Sequence, residues 1–84
     1  MKPDKLEAQA RGIICEALGI PTLDGVGDTE DLMLHGMDSL NCMSLVVLLE
    51  DCFEVEISED KLGLRYVRNI RDICKLVKGA MSDG

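Results

Sequence analysis

The strongest indication of how this chain folds lies in residues 38–53, Asp-Ser-Leu-Asn-Cys-Met-Ser-Leu-Val-Val-Leu-Leu-Glu-Asp-Cys-Phe. Asp38 is a good helix N-cap, because its carboxylate can accept a hydrogen bond from a free N–H of the first turn. Ten of the fifteen residues that follow it are apolar, and no proline interrupts them. The sequence therefore predicts a helix over residues 39–53 that is apolar nearly all round.

This helix has more apolar residues than one face can hold. At about 100° per residue, one side is expected to face the core; its residues are Cys42, Leu45, Val46, Leu49 and Phe53. The opposite side combines apolar with polar residues: Leu40, Val47, Leu48, Ser44 and Asp51, with Met43 at the edge. One interpretation is a central helix whose back is covered by a loop. The favoured one is an exposed apolar strip with carboxylates at its rim, which is typical of a protein docking site.

The sequence before this helix predicts a first helix and a long connection. Residues 3–18 carry apolar side chains at helical spacing, and Gly19 followed by Pro21 ends the pattern. Residues 19–38 form a loop that is long for a compact domain, so we expect a short turn at residues 32–34 to pack against the core.

The sequence after it predicts two more helices. Residues 53–57 alternate like a strand, but no second alternating run could pair with them, so they are expected to be an extended connector. Ser58 is placed to cap a short third helix over residues 59–64, and Asn69 to cap a last helix over residues 70–79, followed by a frayed tail over 80–84. Residues 1–84 are thus expected to be one all-α domain, a four-helix bundle with three main helices and a short third one.

Composition and charge restrict the class of protein. The chain has 84 residues and a net charge of −7, and no Lys or Arg lies between Gly12 and Asp60. This acidity opposes binding to nucleic acid or to an anionic membrane and favours basic partners. The longest apolar run, residues 45–49, is too short to span a bilayer, and the N-terminus has no apolar signal region. We expect a cytoplasmic monomer.

The cysteines do not indicate a metal or redox site. Cys15, Cys42, Cys52 and Cys74 are widely spaced, form no C-x-x-C motif, and are accompanied by a single histidine. Each lies among apolar residues at helical spacing. They are expected to be reduced side chains in or near the core, and no metal ligands are predicted.

Ser39 stands at the head of the second helix, directly after a loop that contains Gly36. It could be only a helix-start residue. It could be a hydrolase nucleophile, since the surrounding residues superficially resemble G-D-S-L esterases; however, the glycine is displaced, the chain is too small for a hydrolase sheet, and His35 lies in the same segment. It could also carry a phosphate-linked group, because free N–H groups and the helix dipole favour an anion there.

The third interpretation is supported by a resemblance that covers nearly the whole chain. Asp38-Ser39-Leu40 after a glycine-containing loop resembles the acyl carrier protein family. The resemblance continues through residues 45–57, Leu-Val-x-x-Leu-Glu-Asp-x-Phe-x-Val-Glu-Ile, and through the Asn69-Ile70-x-Asp72 start of the last helix.

The resemblance implies a non-catalytic carrier whose serine, Ser39, receives 4′-phosphopantetheine from a phosphopantetheinyl transferase that uses coenzyme A. The carrier is then a phosphoprotein that holds biosynthetic intermediates as thioesters and presents them to loading and synthase enzymes with basic docking surfaces. Asp38 is expected near the metal that the transferase holds. The residues expected to contact partner enzymes lie on the second helix: Leu40, Met43, Val47, Leu48 and Asp51.

Two departures from the family pattern favour a specialised pathway, whether polyketide, nonribosomal peptide or lipid. Fatty-acid carriers usually have acidic residues two and five positions after the modified serine, where this chain has Asn41 and Ser44. Two alternatives stay open: a housekeeping carrier of fatty acid biosynthesis, and an acidic helical adaptor that is never modified. A calcium-binding loop at residues 24–35 is disfavoured, because Thr29 and His35 replace its required glycine and glutamate.

Overall fold

The computed structural model describes the backbone of residues 5–83 and the side chains of residues 5–81. It contains three α-helices: α1 (Lys5–Leu18), α2 (Ser39–Phe53) and α3 (Ile70–Asp83). Three single turns of 3₁₀-helix lie between them, at Leu32–His35, Glu59–Lys61 and Leu64–Tyr66. No strand occurs within the described residues, so the predicted all-α class is confirmed. The predicted first residues of the first helix, 3 and 4, lie outside the described part.

One hydrophobic core joins the helices, and α1 packs against both α2 and α3. From α2 the core receives Cys42, Leu45, Val46 and Leu49, which confirms the predicted inner face, while Phe53 is half-buried against it. The buried residues of the other two helices follow the same periodicity: Ala10, Ile13 and Ile14 on α1, and Ile70, Ile73, Leu76 and Val77 on α3.

The long connection between α1 and α2 is tied to the helices at several points. Arg11 of α1 donates hydrogen bonds to the carbonyl oxygens of Leu23 and Val26, at 3.3 and 3.0 Å. The N–H of Leu32 donates to the carbonyl of Arg68 at 2.6 Å, just before α3. Leu23 and Leu32 are buried, so the loop adds to the core.

The prediction of a single third helix over residues 59–64 is wrong. Two separate 3₁₀ turns replace it, because the backbone at Leu62 (φ −95°, ψ 88°) and at Gly63 (φ −167°, ψ 158°) is not helical. Ser58 precedes the first turn but makes no side-chain hydrogen bond to it. The segment is therefore an irregular connection with little intrinsic helical stability.

The predicted end of the last helix at residue 79 is also wrong, since residues 80–83 of the predicted frayed tail 80–84 are helical; residue 84 lies outside the described part. Helix α3 continues through Gly79 to Asp83. Glycine in a helix costs only about 1 kcal/mol relative to alanine, and Ala80 beyond it is half-buried against the core. Tertiary contact therefore outweighs the glycine.

Candidate functional site

Ser39 is the first residue of α2, and its side chain is exposed. The preceding 3₁₀ turn, Leu32–His35, ends at Gly36, whose φ of 104° is strained for any residue with a side chain. Met37 follows and is buried, so the chain is anchored in the core two residues before the serine. The backbone before Ser39 is therefore anchored in the core, while the Ser39 side chain is accessible.

Hydrogen bonds around Asp38 hold the start of α2. The Asp38 carboxylate accepts the backbone N–H of Asn41 at 2.8 Å, which confirms the predicted N-cap. The Asn41 side-chain amide donates to the carbonyl of Gly36 at 2.7 Å, so it links the helix to the loop. The N–H groups of Ser39 and Leu40 precede the first intrahelical donor and have no partner within the helix. These N–H groups lie at the N-terminal end of α2, where the helix dipole favours a negatively charged group.

Asp31 and Arg68 join the loop before Ser39 to the segment before α3. The Arg68 guanidinium donates to the Asp31 carboxylate at 3.0 Å. The same carboxylate accepts the backbone N–H of Met33 at 2.9 Å and so caps the 3₁₀ turn. The Met33 hydrogen bond, and after it the Arg68 contact, hold the pKa of Asp31 below its ordinary value of 3.8.

His35 lies in the same loop, in contact with Glu30. Both His35 and Glu30 belong to the loop that precedes Ser39. Among the described residues no hydrogen bond joins His35 to Ser39, whereas a serine hydrolase needs such a bond between its base and its nucleophile.

Apolar side chains are exposed along α2 on the side away from the core. Leu40 is 80% exposed, Met43 51% and Val47 56%, so the outer face predicted from the periodicity is present. Leu48 differs from the prediction, since it is half-buried and packs against the core. It lies at the boundary of the two faces, where the neighbouring elements determine burial. Asp51, near the end of α2, is exposed.

Two further apolar residues near the serine were not among the predicted contacts. Met33 and Leu34 of the 3₁₀ turn are exposed, Leu34 to 76%, while Leu32 beside them is fully buried. A three-residue apolar run predicts that a turn packs on the core but not which members face outward. The apolar run is visible in the sequence, but the sequence does not show which of its side chains are exposed.

The cysteines occupy different environments. All four are free; Cys42 is buried, Cys15 and Cys74 are partly buried, and Cys52 is exposed, contrary to the expected position in or near the core. Burial raises the pKa of the Cys42 thiol.

Within residues 5–81 no group of three or more His, Cys, Asp or Glu side chains could hold a metal ion. None of the described helices is long and apolar enough to cross a membrane.

These features together define a small helical bundle with an accessible, phosphate-compatible serine at a helix start. The family model "Phosphopantetheine attachment site" matches residues 8–77, which include α2 and its preceding loop. The chain therefore belongs to this family of phosphopantetheine carrier domains, whose members bear a covalently attached 4′-phosphopantetheine group and are themselves non-catalytic. The predicted family and cofactor are thereby confirmed.

A solved structure described as "The ishigamide ketosynthase/chain length factor" contains a chain with a similar fold. The TM-score is 0.72, the sequence identity is 22%, and the match covers 96% of this chain and 99% of the other. The two chains are thus of nearly equal length. At this identity the similarity is one of fold.

Proposed function

We propose that Ser39 is the attachment point of 4′-phosphopantetheine and that the chain is an acyl carrier protein of a specialised biosynthetic pathway. One observation carries the assignment: an exposed serine hydroxyl occupies the first position of α2, inside the range matched by the family model. The N–H groups of the first turn favour a phosphodiester at this position.

The modification is a phosphoryl transfer supplied by a phosphopantetheinyl transferase. The Ser39 oxygen forms a bond to the phosphorus that bears pantetheine in coenzyme A, the pyrophosphate bond breaks, and the serine proton is lost. Adenosine 3′,5′-bisphosphate leaves. When bound, the group supplies a terminal thiol that holds acyl, aminoacyl or polyketide intermediates as thioesters near each docked enzyme.

Asp38 has two functions in this proposal. Its hydrogen bond to the N–H of Asn41 keeps Ser39 at a defined position at the helix start. The side chain is also exposed and belongs to the residue directly before Ser39, so its negative charge can approach the metal held by the transferase. The carrier itself contributes position and charge, and the transferase contributes the catalytic groups.

The partner enzymes are proposed to dock on the exposed apolar strip of α2, formed by Leu40, Met43 and Val47. Leu48 contributes only its exposed part, and Asp51 adds negative charge at the far end of the helix. The middle of the strip is flanked by the neutral Asn41 and Ser44. Apolar contact is therefore proposed to contribute more to docking here than in carriers with acidic residues at these two positions. The remaining charge chiefly increases the rate of encounter.

Two observations favour a specialised pathway over housekeeping fatty acid synthesis. The first is the neutral pair Asn41 and Ser44, where fatty-acid carriers usually have acidic residues. The second is the fold similarity to a chain from a ketosynthase/chain length factor structure, which supports a polyketide-type system among the candidates.

Intact-mass measurement tests the assignment. The protein is incubated with coenzyme A and a broad-specificity phosphopantetheinyl transferase, and we expect the mass to rise by one 4′-phosphopantetheine. Ser39→Ala should gain nothing. Ser44→Ala is the matched control, since Ser44 is also an exposed serine of α2, and it should be modified like the wild type.

Modification of the Ser39→Ala protein would contradict the site assignment while leaving the carrier role intact. No mass gain in the wild type, with a known carrier modified in the same tube, would instead favour the unmodified adaptor.

A further inference from the structure

A groove on the side of the molecule formed by the last third of the chain has a basic lining. Lys61, Arg65 and Lys75 contribute its charged walls, and its volume is about 270 Å³. Tyr66 and Leu76 supply apolar surface, and the Arg65 guanidinium lies 5.0 Å from the centre of the Tyr66 ring. The face of an aromatic ring attracts a cation, which favours this position of the guanidinium. The groove therefore combines positive charge with an apolar wall.

The three basic side chains of this groove form no ion pair within the part of the chain that the structure describes. Among the described residues, Arg11 and Arg68 form ion pairs with Glu7 and Asp31. Lys61, Arg65 and Lys75 have no carboxylate within 4.0 Å in that same part of the chain. The only acidic residue of the lining is Asp72.

Arg71 extends the positive surface along α3. It is exposed, lies one helical turn before Lys75, and forms no side-chain ion pair among the described residues. Residues 61–78 contain six basic residues and one acidic residue, in a chain whose net charge is −7. The protein thus has one strongly basic region on an otherwise acidic molecule.

We propose that this basic groove, together with Arg71, binds an acidic segment of a protein partner, with a Glu or Asp side chain between Lys61, Arg65 and Lys75. The apolar wall of Tyr66 and Leu76 suits an apolar residue next to that carboxylate. Opposite charges at such a contact select the partner and accelerate encounter.

The local charge distribution favours a short protein segment over an extended polyanion. Glu59 and Asp60 directly precede Lys61, and twelve carboxylates lie between Gly12 and Lys61. A duplex or an anionic bilayer presents negative charge over a wide area and would meet these carboxylates as well. A segment of a few residues can enter the groove without approaching them.

The groove is separate from the surfaces used in the proposed function. The described residues that line it all lie between positions 61 and 76, and Ser39 and the residues of α2 are not among them. A partner bound there would not occupy the apolar strip of α2.

Titration of the isotope-labelled full chain with an alternating Glu–Leu hexapeptide, followed by NMR chemical shifts, tests the proposal. We expect shifts concentrated in residues 61–66 and 71–76, with a Kd of about 1 mM or tighter and weaker binding at higher salt. The matching Gln–Leu hexapeptide, which lacks the charge, should leave these residues unshifted.

Charge-reversal variants locate the site. Lys75→Glu and Arg65→Glu should each weaken peptide binding about fivefold or more, because an exposed attraction becomes a repulsion. Lys5→Glu is the matched control: it makes the same charge change at an exposed lysine of α1 and should bind nearly as well as the wild type. Ser39→Ala should also bind normally, so the result is independent of the carrier assignment.

Several results would overturn the proposal: no binding of the acidic peptide, equal binding of the Gln–Leu peptide, shifts centred outside the groove, or equal losses in Lys5→Glu and Lys75→Glu. Vesicles containing phosphatidylglycerol form a further arm. If the protein binds these vesicles more tightly than the peptide, and if this binding depends on Lys75, the ligand of the groove is an anionic membrane and the proposed acidic protein segment is wrong.

Discussion

Substitution can separate two properties of the single residue Asp38: its cap of α2, and the chemical role proposed for its charge. Asparagine caps helices about as well as aspartate, so Asp38→Asn should keep the hydrogen bond to Asn41 and change the free energy of unfolding by only a few tenths of a kcal/mol. Asp38→Ala removes the cap and should cost about 1 kcal/mol. Both should slow loading by the transferase about tenfold, because both remove the charge beside Ser39.

Thermal melts and loading rates of the two variants, with Asp24→Asn as a control at an exposed loop carboxylate, measure this separation. Loading of Asp38→Asn at the wild-type rate would show that the carboxylate acts only as a cap.

The four cysteines offer a second measurement at this scale. Under native conditions iodoacetamide should modify Cys52 first and Cys42 last, because Cys52 is exposed while burial both shields the Cys42 thiol and raises its pKa. Peptide mass mapping over a time course gives the order. Early labelling of Cys42 would mean that α2 opens away from the core on the timescale of the reaction.

At the scale of elements, α2 has two apolar faces with opposite consequences for substitution. Val47 is exposed, so Val47→Glu should change the free energy of unfolding by about 0.5 kcal/mol or less. It should slow transfer of cargo to partner enzymes and loading by the transferase, since a charge must be desolvated in the contact. Leu49 is fully buried, and Leu49→Glu should unfold the domain because an unpaired carboxylate would enter the core.

Thermal melts of both variants and the loading rate of Val47→Glu are the measurements. Equal destabilisation by the two substitutions would contradict the proposal that partner enzymes dock on the apolar strip of α2. A stable Val47→Glu protein that is loaded and used normally would place the docking contacts elsewhere.

The elements also differ in how far the sequence predicted them. The caps of α2 and α3 were predictable because each is a local event: Asp38 accepts the N–H of Asn41, and Asn69 accepts that of Asp72 at 2.7 Å. The third helix was not, because Gly63 and the extended backbone around it leave only single turns. Short segments have too few hydrogen bonds to select their own conformation.

In the molecule as a whole, the Asp31–Arg68 pair links the loop before Ser39 to the segment before α3, and we expect it to make the free energy of unfolding depend on pH. The pKa of Asp31 is lower in the folded protein than its ordinary value of 3.8, so the folded state binds its proton less readily than the unfolded state. The contribution is complete above about pH 4 and is lost as the pH falls through the lower folded-state pKa.

Asp31→Asn isolates this contribution, because asparagine can still cap the N–H of Met33 but cannot pair with Arg68 as a charge. The difference in free energy of unfolding between the wild type and Asp31→Asn should be present near neutral pH and shrink below about pH 4. Denaturant unfolding across this range measures it. A difference that stays constant down to about pH 2 would show that the charge of Asp31 has no part in stability.

Three properties of this protein follow from local sequence: the α-helical class, the start and inner face of α2, and membership of the phosphopantetheine family. These properties depend on caps, periodicity and a short motif, which act between residues a few positions apart. Ser39 was a candidate on the same local grounds.

Tertiary packing determines which ambiguous side chains are covered and which distant charges meet. Leu48 is half-buried and Cys52 exposed because burial depends on what packs over a helix face, which periodicity does not specify. Lys61 and Lys75 share one groove because the chain turns between them, and α3 extends past Gly79 because Ala80 reaches the core. Long-range packing, which outweighs local preference, is the physical reason for each of these results.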